Sequence, residues 1–208
     1  MFNSGFIPSV IDGTENVFIE PQNMGLPKEY SYKKYLPDAI DQGSDSICVP
    51  CSISANINWH INLENGKIKD NCVKLYDIYE NRTTQGDYGM TFKDAFNYLI
   101  EHGVDTKKGI FKISNYAMVR NILALKFALI ANGPCVAVLP VYNADSADEF
   151  WNEKYGDFLG YHAVSIVGYN DDGIIIRNSW GKRYGHEGYT LIKNKDVNKF
   201  KEIWTIYA

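Results

Sequence analysis

Between Cys48 and about residue 65 the apolar residues Ile53, Ile57 and Ile61 recur every four positions, and Val49 and Trp59 widen the stripe. That period predicts a long, largely buried helix, with Pro50 tolerated in its first turn and Gly66 near its end. A second helix is expected over residues 73–79. A third is expected over residues 91–102, where Phe92, Ala95, Phe96 and Leu99 share a face and Gly103 stops the helix. Ser114 or Asn115 is the expected cap of a fourth, running through Val119, Leu123, Phe127 and Ile130 to Gly133.

After Pro134 the pattern changes to short apolar runs bounded by turn residues. Cys135–Val141, residues 163–169, Gly173–Arg177 and Tyr189–Lys193 read as strands, with Asp171-Asp172-Gly173 as a hairpin turn and residues 203–208 as one more strand. Residues 1–37 carry Pro8, Pro21, Pro27 and Pro37 and show no helical period. They read as an extended arm, with a short strand around Val17-Phe18-Ile19. A mostly helical first part therefore precedes a mostly antiparallel β second part.

Composition narrows the function without naming it. The 208 residues are 45% hydrophobic and 14% aromatic, enough for a substantial core, and the net charge is −4. So small a charge, with no basic block, argues against nucleic-acid binding. No run approaches the roughly 20 apolar residues of a membrane span, and Met1-Phe2-Asn3-Ser4-Gly5 lacks the form of a secretory signal. The four cysteines, Cys48, Cys51, Cys72 and Cys135, are too sparse for a disulfide scaffold. A cytoplasmic or otherwise intracellular monomer in a reducing compartment is the expectation.

Three residues then stand out, each inside its own small signature. Cys48 closes Gln42-Gly43-Ser44-Asp45-Ser46-Ile47-Cys48, His162 lies in Gly160-Tyr161-His162-Ala163-Val164, and Asn178 opens Asn178-Ser179-Trp180-Gly181. A free thiol titrates near ~8.5 and only its thiolate attacks, so a thiol alone is a poor nucleophile at neutral pH. An imidazole beside it takes the proton, and an amide oxygen on the far ring nitrogen fixes the tautomer. This set reads as a cysteine hydrolase, with the nucleophile opening a helix of the first part and its partners on strands of the second.

These motifs resemble the papain family of cysteine peptidases over most of the chain, from about Leu26 onward. Gln42 stands six residues before Cys48, where the family keeps a glutamine that helps form the oxyanion hole. Leu129-Ile130-Ala131-Asn132-Gly133-Pro134 resembles its helix-to-strand junction. Tyr161-His162-Ala163-Val164-Ser165-Ile166-Val167-Gly168-Tyr169 resembles its base-bearing strand, and Asn178-Ser179-Trp180-Gly181, Tyr184-Gly185 and Glu187-Gly188-Tyr189 its last segment.

The resemblance implies an α+β, papain-like two-lobed fold: an arm over residues 1–25, then a peptidase domain over 26–208. That domain has a helical N-terminal lobe at about 45–110, an antiparallel β C-terminal lobe at about 111–208, and the active-site cleft between them. It implies Cys48, His162, Asn178 and Gln42 as the catalytic set and Trp180 as a shield over the Asn178–His162 bond. It implies Gly89, after Gly86-Asp87-Tyr88, as the glycine whose backbone pairs with an extended protein or peptide substrate. Val138 and Ala163 would line an apolar specificity pocket, and neither metal nor organic cofactor is implied.

Asp45 and Val49 depart from the family pattern, which usually has a cysteine and a tryptophan there, so a common disulfide is missing. The 25 residues before Leu26 are also too few for the family's folded inhibitory propeptide. The arm with Phe18 and Ile19 is therefore a candidate to lie in or near the cleft.

Other readings compete. Cys48-Val49-Pro50-Cys51 has the form of a thiol–disulfide redox pair, but a thioredoxin-like oxidoreductase leaves His162, Asn178 and Trp180 unexplained. The same two cysteines remain candidates for a reversible switch. A zinc site on Cys48, Cys51 and Cys72 lacks a second ligand pair. A papain-fold amidase or acyl transferase, or a non-catalytic peptide-binding homologue, stays open on the resemblance alone. His60, His102 and His186 read as packing or surface residues.

Overall fold

A computed structural model describes residues 5–65, 70–83, 89–143 and 149–208. The first expected helix forms as α1 (Cys48–Asn65); its proposed stop at Gly66 lies outside the described residues. Ile53, Ile57 and Ile61 are buried, but so are Ser52, Ser54, Asn56 and Asn58, so α1 is covered on every side from Cys48 to Asn58. Buried polar groups on such a helix must find partners. Ser52 and Ser54 donate to the Val49 and Cys51 carbonyls. Asn56 donates to the Asn132 and Pro134 carbonyls and so ties α1 to the second half of the chain.

Two further helices complete the helical lobe. The second, α2 (Leu75–Glu80), begins two residues later than its pattern suggests, because Val73 is drawn into a bridge with Thr106. The third, α3 (Phe92–Glu101), is capped by Thr91, whose side chain accepts from the Asp94 N–H, and it buries Phe92, Ala95, Phe96 and Leu99. A small ladder of β2 (Val104–Thr106) and β3 (Gly109–Phe111) follows.

The fourth helix corrects the sequence expectation. Neither Ser114 nor Asn115 is its cap: Asn115–Met118 is a strand, β4, and α4 (Ile122–Asn132) starts behind Asn121, whose side chain accepts from the Ala124 N–H. Its buried face is Ala124, Leu125, Phe127, Ala128 and Leu129, while Leu123 and Ile130 turn outward. Val119 precedes the helix, and its N–H donates to the Ile203 carbonyl.

The remaining strands are β1 (Tyr30–Ser31), β5 (Cys135–Val141), β6 (Gly160–Tyr169), β7 (Gly173–Arg177), β8 (Tyr189–Lys193) and β9 (Ile203–Tyr207). They form an antiparallel sheet in the order β4-β9-β5-β6-β7-β8, with β1 on β6. Strand alternation makes this sheet serve two cores. Cys135, Ala137, Leu139 and Val141 of β5 face a core shared with α4, whereas Val136 and Val138 join the core of α1, α2 and α3. The lobes thus meet along β5 and β6, and the side chains expected to do chemistry are brought to that seam.

The α4–β5 junction offers a direct test of the packing between lobes. Gly133 has φ 84°, and a Cβ there would lie 2.2 Å from the Trp59 ring on α1. Gly133→Ala therefore combines left-handed strain with a clash against a large ring, and should cost about 2–4 kcal/mol. Denaturant unfolding measures it, with Gly43→Ala as control: Gly43 also has positive φ (58°) but open space around it, so its loss should be smaller.

Candidate functional site

His162 and Asn178 come together as their motifs suggest. The His162 Nε2 lies 2.7 Å from Asn178 Oδ1, and that oxygen also accepts the Ser179 N–H at 2.7 Å. The second bond fixes the orientation of the amide, because a backbone N–H needs an oxygen to meet. An amide oxygen only accepts, so the proton of His162 sits on Nε2 and Nδ1 is the basic nitrogen. His162 and Asn178 are both buried. The Trp180 ring stacks on the imidazole at 4.7 Å, and Phe150 packs 5.0 Å from Trp180, so apolar rings cover the bond.

Cys48 is the first residue of α1 and is fully buried, in one cluster with Val138 and Ala163. Burial pushes its thiol up to about 12, against the opposing pull of the backbone N–H groups of Ala163, Val49, Cys48 itself and Gly5. Burial likewise pushes His162 down to about 4, although the Asn178 hydrogen bond acts the other way. Exclusion of water outweighs the helix end, and thiol and imidazole are both neutral near pH 7.

At Cys48 the N-terminal arm contributes to that exclusion. Phe6 pairs with Met90 as a parallel bridge, Met90 N–H donates to the Gly5 carbonyl, and Ile7 N–H donates to the Met90 carbonyl. Gly5 lies so close that a Cβ on it would stand 2.6 Å from the Ser46 backbone, and one on Gly89 (φ 100°) would stand 2.4 Å from Gly5. The Phe6 ring is 5.2 Å from that of Phe92 and belongs to the cluster of Cys48, Val138 and Ala163. Residues 5–7 therefore fill the cleft. Phe18 and Ile19 do not: Phe18 N–H donates to the Met118 carbonyl and its side chain joins the β-lobe core, while Ile19 is exposed.

Val138 and Ala163 are cross-strand partners in β5 and β6. Gly89 lies beside the arm; Gly86, Asp87 and Tyr88 before it fall outside the described residues. Gln42 is buried, and its amide nitrogen donates to the Asp45 carbonyl at 2.7 Å, which occupies one of its two N–H groups. Its amide oxygen accepts from Ser179 Oγ at 2.5 Å, and Gln42 N–H donates to the Ser179 carbonyl. Cys48, Cys51, Cys72 and Cys135 are all free and buried. His60 is half-buried and pushed down to about 4 by burial, while His102 and His186 are exposed.

Sequence reasoning missed three contributors. Ser179 joins the Gln42 loop to the Asn178 loop. Buried Arg177, just before Asn178, donates to the Asp38 carbonyl at 2.7 Å and so anchors β7 to the segment leading into Gln42. Phe150 backs Trp180. Each contact joins residues distant in the chain, and no local motif announces it. Among the described residues no group of three or more His, Cys, Asp or Glu is placed to hold a metal ion, and no helix is long and apolar enough to cross a membrane.

Comparison with known proteins adds an independent line. Residues 65–204 match the family model described as papain family cysteine protease, a span that holds His162 and Asn178 but starts after Gln42 and Cys48. Cathepsin B-like CP1 of Giardia intestinalis is 34% identical over 133 residues, 58% of this chain and 43% of that protein. The chain thus spans less than half the length of that relative. Procathepsin L of Rattus norvegicus is 26% identical over 88% of this chain and 64% of its own length. In fold, the chain is similar to xylellain, a cysteine protease from Xylella fastidiosa, with a TM-score of 0.84 and 22% identity, covering 100% of this chain and 96% of that one. The two-lobed α+β architecture is that of the papain-like proteases, and the chain belongs to the papain family of cysteine proteases.

Proposed function

We propose that the chain is a cysteine peptidase that cleaves protein or peptide substrates through a Cys48 acyl-enzyme. The observation that carries this reading is the doubly fixed Asn178 amide, which holds the His162 proton on Nε2 and leaves Nδ1 as the base. His162 Nδ1 takes the thiol proton as Cys48 Sγ attacks the substrate carbonyl. The oxyanion is stabilised by the Cys48 N–H at the start of α1 and by the second N–H of the Gln42 amide, donors worth about 3–4 kcal/mol each in comparable sites. His162 then returns the proton to the leaving amine, and water releases the acyl group. Gly89 pairs with the substrate backbone, and the pocket of Val138 and Ala163 takes an apolar side chain. The form with residues 5–7 in the cleft is the resting form, since a substrate needs the surface that the arm covers. Four free cysteines favour work in a reducing compartment.

Treatment with a peptidyl epoxide and location of the adduct by mass spectrometry tests the assignment. The adduct is expected on Cys48. His162→Ala should slow both labelling and peptide cleavage by at least about a hundredfold, and Asn178→Ala by a smaller factor. An adduct centred on Cys51 would sink it.

The resting form has its own signature in pH. With the Cys48 thiol pushed up to about 12, the thiolate fraction grows about tenfold per pH unit through the neutral and mildly alkaline range. The ultraviolet absorbance of the thiolate, taken as the difference between the parent and Cys48→Ala so that no reagent has to enter the cleft, should therefore climb without a plateau up to pH 9. A plateau reached below pH 8 means a thiolate is already present, and contradicts the neutral pair.

A further inference from the structure

Four contacts hold the arm along its path out of the cleft. Residues 5–7 pair with Met90. Ser9 N–H donates at 2.8 Å to Glu202 Oε1, a buried carboxylate that also takes the Trp204 Nε1–H. Lys93 Nζ donates to the Val10 carbonyl at 2.7 Å and to Glu15 Oε1 at 2.5 Å. Finally, residues 16–18 run beside β4 through Met118.

The Lys93 contact differs in kind from the others. Residues 10–14 have almost no apolar cover: Val10 is 78% exposed, Ile11 is 44% exposed, and the next three residues are exposed as well. What shapes this stretch is the Glu15 carboxylate, with a side chain only 1% exposed, which accepts the Asp12 and Gly13 N–H groups as well as Lys93. Thr14 closes the turn by donating to Asp12 Oδ1 through both its N–H and its hydroxyl. Lys93 thus grips the loop at both ends, through Val10 and through Glu15.

Its place in the helix is informative too. Thr91 caps α3, so Lys93 is the second residue of that helix, at the positive end of the dipole, where a cation is unfavourable. Helix stability does not explain a lysine there, but a carboxylate from the arm does. Lys93 also stands three residues after Met90, so cleft pairing and ionic grip sit on one continuous piece of chain.

We propose that Lys93 is a latch: its charge-assisted bonds to Glu15 and the Val10 carbonyl hold residues 5–7 in the cleft, and breaking them opens the site. The inference rests on the peptidase reading for its consequence, but not for its physical content. Each partner holds the other charged, Lys93 above its ordinary value and Glu15 below. Hydrogen bonds between charged groups are the stronger kind, and removing one partner leaves a covered carboxylate without its counterion.

The test uses the full chain and reads arm opening directly. Hydrogen exchange at the Ile7 and Met90 amides, which bond across the cleft, reports detachment of the arm. In Lys93→Met both amides should exchange at least about tenfold faster, equivalent to about 1.4 kcal/mol, while β5 amides keep their protection. Cys48 should alkylate faster by a similar factor. Lys93→Arg should stay close to the parent. Glu15→Gln, which keeps shape and removes charge, should repeat the Lys93→Met result and stands in for it if that variant misfolds. Unchanged exchange at Ile7 and Met90 in folded Lys93→Met or Glu15→Gln overturns the latch. Faster exchange without any peptide cleavage supports the latch and counts against the peptidase reading.

Discussion

The chemistry of the site depends on one hydrogen bond, the 2.7 Å contact between His162 Nε2 and Asn178 Oδ1, because it decides which imidazole nitrogen is basic. Much of the surrounding structure serves that bond. Ser179 N–H prevents the amide from turning over, Trp180 and Phe150 keep water from it, and Arg177 pins the end of β7 that delivers Asn178. The same strand pairing that places His162 opposite Leu139 also sets Ala163 opposite Val138. The proposed base and the proposed pocket are therefore built by one register, and a slip of one residue would turn both away.

The link between lobes is equally economical. Gln42 and Ser179 are joined by a backbone bond and a side-chain bond, and Asp41 bridges to Trp180. The loop that precedes the nucleophile is thus fastened to the loop that carries the orienting amide. Gln42 and His162, the proposed oxyanion donor and base, cannot drift independently, which matters when misplacement by about 1 Å costs much of the rate.

How much of this was legible in the chain varied with the range of the forces involved. The helices α1 and α3 and the strands β5, β7 and β8 follow from periodicity and bounding Gly, Pro or cap residues, since their own side chains decide their form. The start of α4 does not. Asn115 resembles a cap, yet residues 115–118 pair with β9, and Asn121 takes the capping role. Here tertiary pairing overrides a plausible local signal. Cys48, His162 and Asn178 stand out in the sequence because each lies in a motif. The Ser179–Gln42 link and the Arg177 anchor were not, being contacts across more than a hundred residues. The length of the arm points to the cleft, but the residues that enter it are 5–7 and not Phe18 and Ile19. Phe6 enters because Gly5 beside it lets the backbone pass against Ser46, whereas Phe18 is committed to β4.

Closure by the arm also bears on reactivity, beyond access. Burial is the largest contribution raising the Cys48 thiol and lowering His162. Gly5 N–H is one of four backbone donors at the sulfur, so its departure removes a little stabilisation of the thiolate. It also admits water to a fully buried group, which reverses the larger effect. The helix start, the Ala163 N–H and the oriented imidazole are not part of the arm. Under the latch proposed above, one movement uncovers Cys48 and shifts its thiol towards the thiolate, so that withdrawal of residues 5–7 controls access and reactivity together.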